Sequence, residues 1–209
     1  MAKGKKKQKQ KRGGALMGRS DIPYAQRLAM QHHDNIVVNR NHSAKVALYC
    51  LSVAIHEVKG VGYKNLVKFG LAYKEVEDEI YEDLEYGMAK AKRRMEQMGM
   101  PISGELYSIP VPGLTKRQQQ VHDHALQAAQ ISLIAGAITM NEVFGYGKIV
   151  QDRISERSYE LSERYNKEGE GFLLEAMEKI GFTIVDGNVM AYVDEDMKAV
   201  HPRKAEVMK

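Results

Sequence analysis

The pattern Glu-Val-x-Gly-x-Gly occurs twice, as Glu57-Val58-Lys59-Gly60-Val61-Gly62 and as Glu142-Val143-Phe144-Gly145-Tyr146-Gly147. Each copy follows an apolar stretch of helical length and precedes a polar, periodic one, so each glycine pair falls between two helices. The chemistry such a turn can do is anion binding. Gly60 and Gly145 suit the left-handed position that ends a helix, and Gly62 and Gly147 allow the tight reversal before the next. The second helix then offers free N–H groups and the positive end of its dipole, which favour a phosphate. Lys59, Lys64 and Lys68 would reinforce that site at the first turn, and Lys148 and Arg153 at the second. The structural alternative is an αα-turn whose glycines only cap and pack helices, and the spacing leaves both open.

Charge supplies a second anion-binding candidate. Of the 31 Lys and Arg residues, eight lie in residues 1–20 with no acid among them, including Lys5, Lys6, Lys7, Lys9, Lys11 and Arg12. The remaining 23 bases face 27 acids over residues 21–209, so the body carries a net charge of −4. The tract MAKGKKKQKQKRGG has almost no apolar surface to bury and is expected to be disordered until a polyanion orders it. Nucleic acid fits, because neutralised phosphates release counterions. A solubilising tail without a dedicated partner is the simpler reading.

The turns are set inside a longer internal match. Residues 44–69 align without a gap on residues 129–154, at an offset of 85, and the match continues to Glu96–Gly99 against Glu178–Gly181. We read this as a duplication: a basic tail over 1–20, a first repeat over 21–113, a second over 114–200 and a C-terminal tail over 201–209, the repeats sharing one core about a pseudo-twofold axis. In the first repeat, periodicity predicts a helix over 22–34, capped by Ser20 or Asp21, and a buried helix over about 43–59. A long helix from Tyr63 to Met98 follows, with an apolar stripe running from Leu66 through Tyr73, Ile80 and Leu84 to Met95. Gly70 or Gly87 is placed to bend it, and Gly99 to cap it. In the second repeat, Gly169 and Gly171 predict a helical break. Thr183–Val185, Asp186-Gly187-Asn188 and Val189–Val193 predict a β-hairpin. Residues 100–113 are expected to form a weaker hairpin or an extended arm, with Pro110–Gly113 as the joint between repeats. The fold class is therefore α+β, predominantly α-helical, built from a repeated helix–GxG turn–long helix–hairpin unit.

Two resemblances bear on function. Val58 to Leu66, and Val143 to Val150, resemble the hairpin of helix-hairpin-helix DNA-binding modules, which implies backbone contact with a phosphate where the second helix starts. The long first helix and the acidic body depart from that family. Over residues 40–160, an apolar helix ending in Glu-Val-x-Gly-x-Gly before a long charged helix, together with the lysine-rich start, looks like uncharacterised accessory proteins of Gram-positive prophages and mobile elements. That likeness implies action on DNA or on host machinery and carries no site residues.

Other chemistry finds less support. His32, His33 and Asp34 correspond to His122, Asp123 and His124, and with Glu57 and Glu142 they raise a symmetric metal site. Adjacent His-Asp residues point to different faces of a helix, however, and the Glu-x-x-His spacing of carboxylate-bridged bundles is missing. Hydrogen bonding or solvent exposure is the expectation for Glu57 and Glu142. The only cysteine, Cys50, lies in an apolar helix and reads as a small hydrophobe, which excludes an internal disulfide and Cys-based zinc sites. No nucleophile elbow, Walker-type loop or Rossmann fingerprint is present. Neither a membrane span nor a secretory signal is seen, so the expected location is cytoplasmic. The expected function is a nonenzymatic nucleic-acid-binding accessory protein with no cofactor. The alternative is an antagonist or scaffold acting on a host protein, for which the acidic run KEVEDEIYEDLE (residues 74–85) would imitate nucleic acid.

Overall fold

The protein is described from a computed structural model that covers residues 24–102, 106 and 108–191. The basic tract with Lys5, Lys6, Lys7, Lys9, Lys11 and Arg12, the cap expected at Ser20 or Asp21, and the C-terminal tail all lie outside the described residues. The described residues form six helices and one two-stranded hairpin: α1 (Tyr24–Lys59), α2 (Tyr63–Glu82), α3 (Leu84–Gln97), α4 (Lys116–Phe144), α5 (Lys148–Glu168), α6 (Gly171–Ile180), β1 (Thr183–Val185) and β2 (Asn188–Met190).

Helix α1 corrects the expectation of two separate helices. It is continuous over 36 residues, about 54 Å, through the asparagine-rich segment Asn35–His42. That segment contains no proline or glycine to break it. Asn39 returns its side-chain amide to the Asn35 carbonyl one turn back (2.8 Å), within the helix. Helix α4, opened by a Thr115–Gln118 capping box, lies alongside and extends the packed surface.

Helices α1 and α4 form the central pair and run in the same direction. His32 Nε2 meets Gln120 Oε1 at 3.0 Å near one end. Leu51 packs on Gly136 midway, where a Cβ on Gly136 would come within 2.6 Å of Leu51 Cδ2. Lys59 lies over the Tyr146 ring at the other end. Because α2 and α5 turn back along this pair, each finds its main partner in the first helix of the opposite half: α5 packs on α1, and α2 packs on α4. The core runs along this four-helix layer, with Ile55, Leu66, Phe69, Ile131, Ile138, Met140 and Ile154 fully buried.

The expected 36-residue second helix is divided at Asp83. The stripe from Leu66 to Ile80 is buried, Leu84 is exposed, and burial resumes at Met88, Ala91 and Met95. The break thus falls where the apolar register slips. Asp83 adopts an extended conformation and caps α3 by accepting the Tyr86 N–H (3.1 Å). Gly87 makes the break possible: a Cβ there would lie 2.6 Å from the Ile80 backbone, so only glycine lets α3 start so close to the end of α2. Gly99, with φ +70°, ends α3 as expected.

The expected break at Gly169 is present, with φ +81° between α5 and α6. The hairpin forms at the predicted place with a shorter turn. Asp186 and Gly187 occupy the two left-handed turn positions, and Asn188 is the first residue of β2, paired with Val185. It packs on helices, Tyr49 OH accepting the Val189 N–H (3.1 Å). Between α3 and α4 the described residues contain no strand; Ser103, Gly104, Glu105 and Tyr107 lie outside them. Gln119 holds that connection through the Val111 N–H and the Ile109 carbonyl, both at 2.9 Å. Among the described residues no helix is long and apolar enough to cross a membrane.

Candidate nucleic-acid interface

The parallel course of α1 and α4 brings both GxG turns to one end of the molecule. Their backbones are nearly superimposable: Gly60 and Gly145 have φ of +65° and +68°, while Gly62 and Gly147 both have φ of −82° with extended ψ. A side chain clamps each turn. His56 Nδ1 donates to the Val61 carbonyl (2.9 Å), and Asn141 Nδ2 donates to the Tyr146 carbonyl (3.2 Å). Carbonyl oxygen only accepts, so the bond places a proton on His56 Nδ1. Gln151, one turn into α5, adds a second amide donor to the Tyr146 carbonyl (2.8 Å) and a third bond to the Ala137 carbonyl (3.1 Å). Its buried Oε1 has no partner among the described residues.

The two glycines of each turn do different things. Gly60 and Gly145 occupy the left-handed region, where a side chain is strained. Gly62 and Gly147 sit at the N-caps in a conformation any residue adopts, and a Cβ at either would meet nothing within 4 Å. The fold does not demand glycine there. Neither N-cap supplies a side-chain acceptor, so the first N–H groups of α2 and α5 lack the oxygen that Ser, Thr, Asp or Asn would provide.

The acids nearest the turns are paired with bases. The repeated glutamates are neutralised across the halves: Glu57 Oε2 accepts from Arg157 Nε of α5 (2.6 Å), and Glu142 pairs with Arg94 of α3. Both glutamates face solvent, as one of the two sequence expectations had it, and each is also held in an ion pair that the sequence did not signal. The hydrogen bonds that Arg157 donates to Glu57 and then to Glu160 shift its guanidinium upward, keeping it charged. Among the anticipated bases, Lys148 is occupied by Asp152 (2.8 Å) and Lys59 by the Tyr146 ring. Lys64 and Arg153 are exposed, Lys68 is half-buried, and none of the three forms an ion pair with a described residue. Sequence reasoning missed the aromatic seam between the turns, in which Phe69 stacks on Phe144 (6.0 Å) and Phe144 meets Tyr146 (5.1 Å). The sequence alignment of the two segments sets Phe144 against Lys59 and Tyr146 against Val61, so nothing in either segment alone signals the contact.

The remaining candidates do not assemble. No group of three or more His, Cys, Asp or Glu among the described residues could hold a metal ion. Cys50 is buried, and burial pushes its thiol up to about 11, away from nucleophilic use. The acidic run is largely engaged with its own neighbours. Glu77 is buried beneath the Tyr73 hydroxyl, Asp78 pairs with Lys74, and Glu79 pairs with Lys90 and Arg94. Compared with known proteins, the chain matches no family model, no curated protein sequence and no solved structure.

Proposed function

We propose that this chain is a nonenzymatic nucleic-acid-binding accessory protein, of the prophage or mobile-element kind its sequence resembles. The observation that carries the reading is the pair of uncapped helix N-termini, each behind a glycine the fold does not require, on one face with the acids neutralised. Two phosphates could be held there by backbone N–H groups, with Lys64 and Arg153 close by. The N-terminal lysines would add attraction independent of sequence.

The same reading takes the two halves as copies of one ancestral unit about a pseudo-twofold axis. It is supported by the matching turn dihedrals, by the His56 and Asn141 clamps at aligned positions, and by the reciprocal packing of α5 on α1 and α2 on α4. A twofold relation would present two equivalent phosphate sites at a fixed spacing. Antagonism of a host protein through nucleic-acid mimicry is the second reading; in the acidic run Glu77, Asp78 and Glu79 are paired with Lys74, Lys90 and Arg94, while Glu82 and Glu85 stay exposed.

Fluorescence anisotropy with a labelled DNA duplex tests the proposal, comparing the full chain with a version starting at Ser20. The expected result is weaker but measurable binding after truncation, falling steeply with salt in both. Absence of binding by either at low salt would sink the reading, and complete loss on truncation would remove the turns from it.

A further inference from the structure

A cavity opens where α5 packs on α1, whereas side chains fill the corresponding place where α2 packs on α4. About 510 Å³ opens between α1, α4 and α5, starting about two turns along α5 from Gly147. Val46 and Cys50 of α1 and Ala129 of α4 form an apolar floor, and Ser155, Ser158 and Ser162 of α5 form the opposite wall. Counted from the N-cap glycine, Ser158 occupies the place in α5 that Tyr73 occupies in α2, and Ser162 that of Glu77. There the Tyr73 ring is buried against α4 and its hydroxyl donates to Glu77 Oε1 (2.9 Å), with Ser132 Oγ also approaching that oxygen (3.5 Å). Ser132 aligns with Ala47, another residue lining the cavity. Three shortened side chains therefore leave vacant the volume of a phenol ring and its acceptor.

The lining also describes the occupant. It contains no Asp, Glu, Lys or Arg. Its polar groups are hydroxyls, the Asn166 amide, and a His42–Tyr165 pair joined at 2.6 Å on the rim. Ser158 is 4% exposed, and its hydroxyl has no partner among the described residues. Leu133 and Tyr159 stand 45% and 67% exposed at the mouth, as expected of apolar side chains that close over a guest. The volume is in the range of small-molecule sites. We propose that this cavity binds an uncharged aryl alcohol of one or two rings, the rings on Val46, Cys50 and Ala129 and the hydroxyl on Ser158. This site is separate from the turns and does not depend on nucleic-acid binding.

The test is titration of the full chain with 2-naphthol, followed by calorimetry and by the methyl NMR signals of Val46, Ala129 and Leu133. Saturable one-to-one binding that moves those methyls is expected, and Ser158→Tyr, which reproduces the filling seen where α2 packs on α4, should weaken it at least tenfold. Methyl signals that stay still, or a folded Ser158→Tyr chain that binds 2-naphthol as the parent does, would overturn the proposal. The methyl result decides the matter even if that variant does not fold. Sedimentation showing a dimer that Ser158→Tyr dissociates would give the cavity to a second copy and equally overturn it.

Discussion

Gly62 and Gly147 are the residues on which the functional reading turns, and they separate binding from folding. An aspartate at either N-cap would find open space and an allowed backbone, and its carboxylate could accept from the Lys64 or Ile149 N–H of the first turn. Each such cap is worth about 0.5–2 kcal/mol over a residue with no acceptor, though only a few tenths over glycine. The same carboxylate would compete with a phosphate for those donors and repel it. Gly62→Asp with Gly147→Asp should therefore leave the melting temperature unchanged or slightly raised while weakening DNA binding by the body at least tenfold. Melting curves beside anisotropy check this, and unchanged affinity would refute phosphate contact at the turns. Cys50 gives a second residue-scale expectation. Burial holds its folded thiol at about 11, above its ordinary value, so the folded state keeps the proton longer than the unfolded one. Its contribution to stability is complete below about pH 8.5 and declines as pH rises toward 11. Denaturant midpoints measured across that window should fall in the parent and fall less in Cys50→Ala.

Helix boundaries show which signals the sequence carried openly. Gly60, Gly99, Gly145 and Gly169 all have positive φ at helix ends, and the Asp186-Gly187 turn follows directly from its residues. These were legible because the cause is local. The continuity of α1 across Asn35–His42 was not, since asparagine's preference for turns is overridden by α4 lying alongside. Nor was the break at Asp83, which needs the Ile80 backbone as well as the cap. The convergence of the turns on one face was also beyond reach, because it depends on α1 and α4 being parallel. Within this scale, two glycines of the helices after the first turn should respond oppositely to alanine. Gly70 lies inside α2 with nothing within 4 Å of a Cβ, so Gly70→Ala should stabilise by about 0.5–1 kcal/mol. Gly87 faces the Ile80 backbone at 2.6 Å, so Gly87→Ala should cost about 1–3 kcal/mol despite the better helix propensity. Urea midpoints of the two variants give the comparison directly.

At the scale of the whole molecule, neither half has a finished interior. The buried faces of α1 are covered chiefly by α4 and α5, and those of α4 by α1 and α2, so the first 113 residues lack the surfaces that would enclose them. Residues 1–113 expressed alone should show no cooperative unfolding transition, whereas co-expression with residues 114–209 should return a complex that melts as one unit. Independent folding of the first segment would contradict this. The exchanged partnership also has a consequence for synthesis. When the ribosome has finished α1, α2 and α3, the apolar flank of α1 still awaits residues that have yet to be translated. The nascent chain must carry that flank uncovered until α4 and α5 emerge, which makes holdases that meet the chain at the ribosome, and the pace of elongation through residues 114–168, natural determinants of its yield.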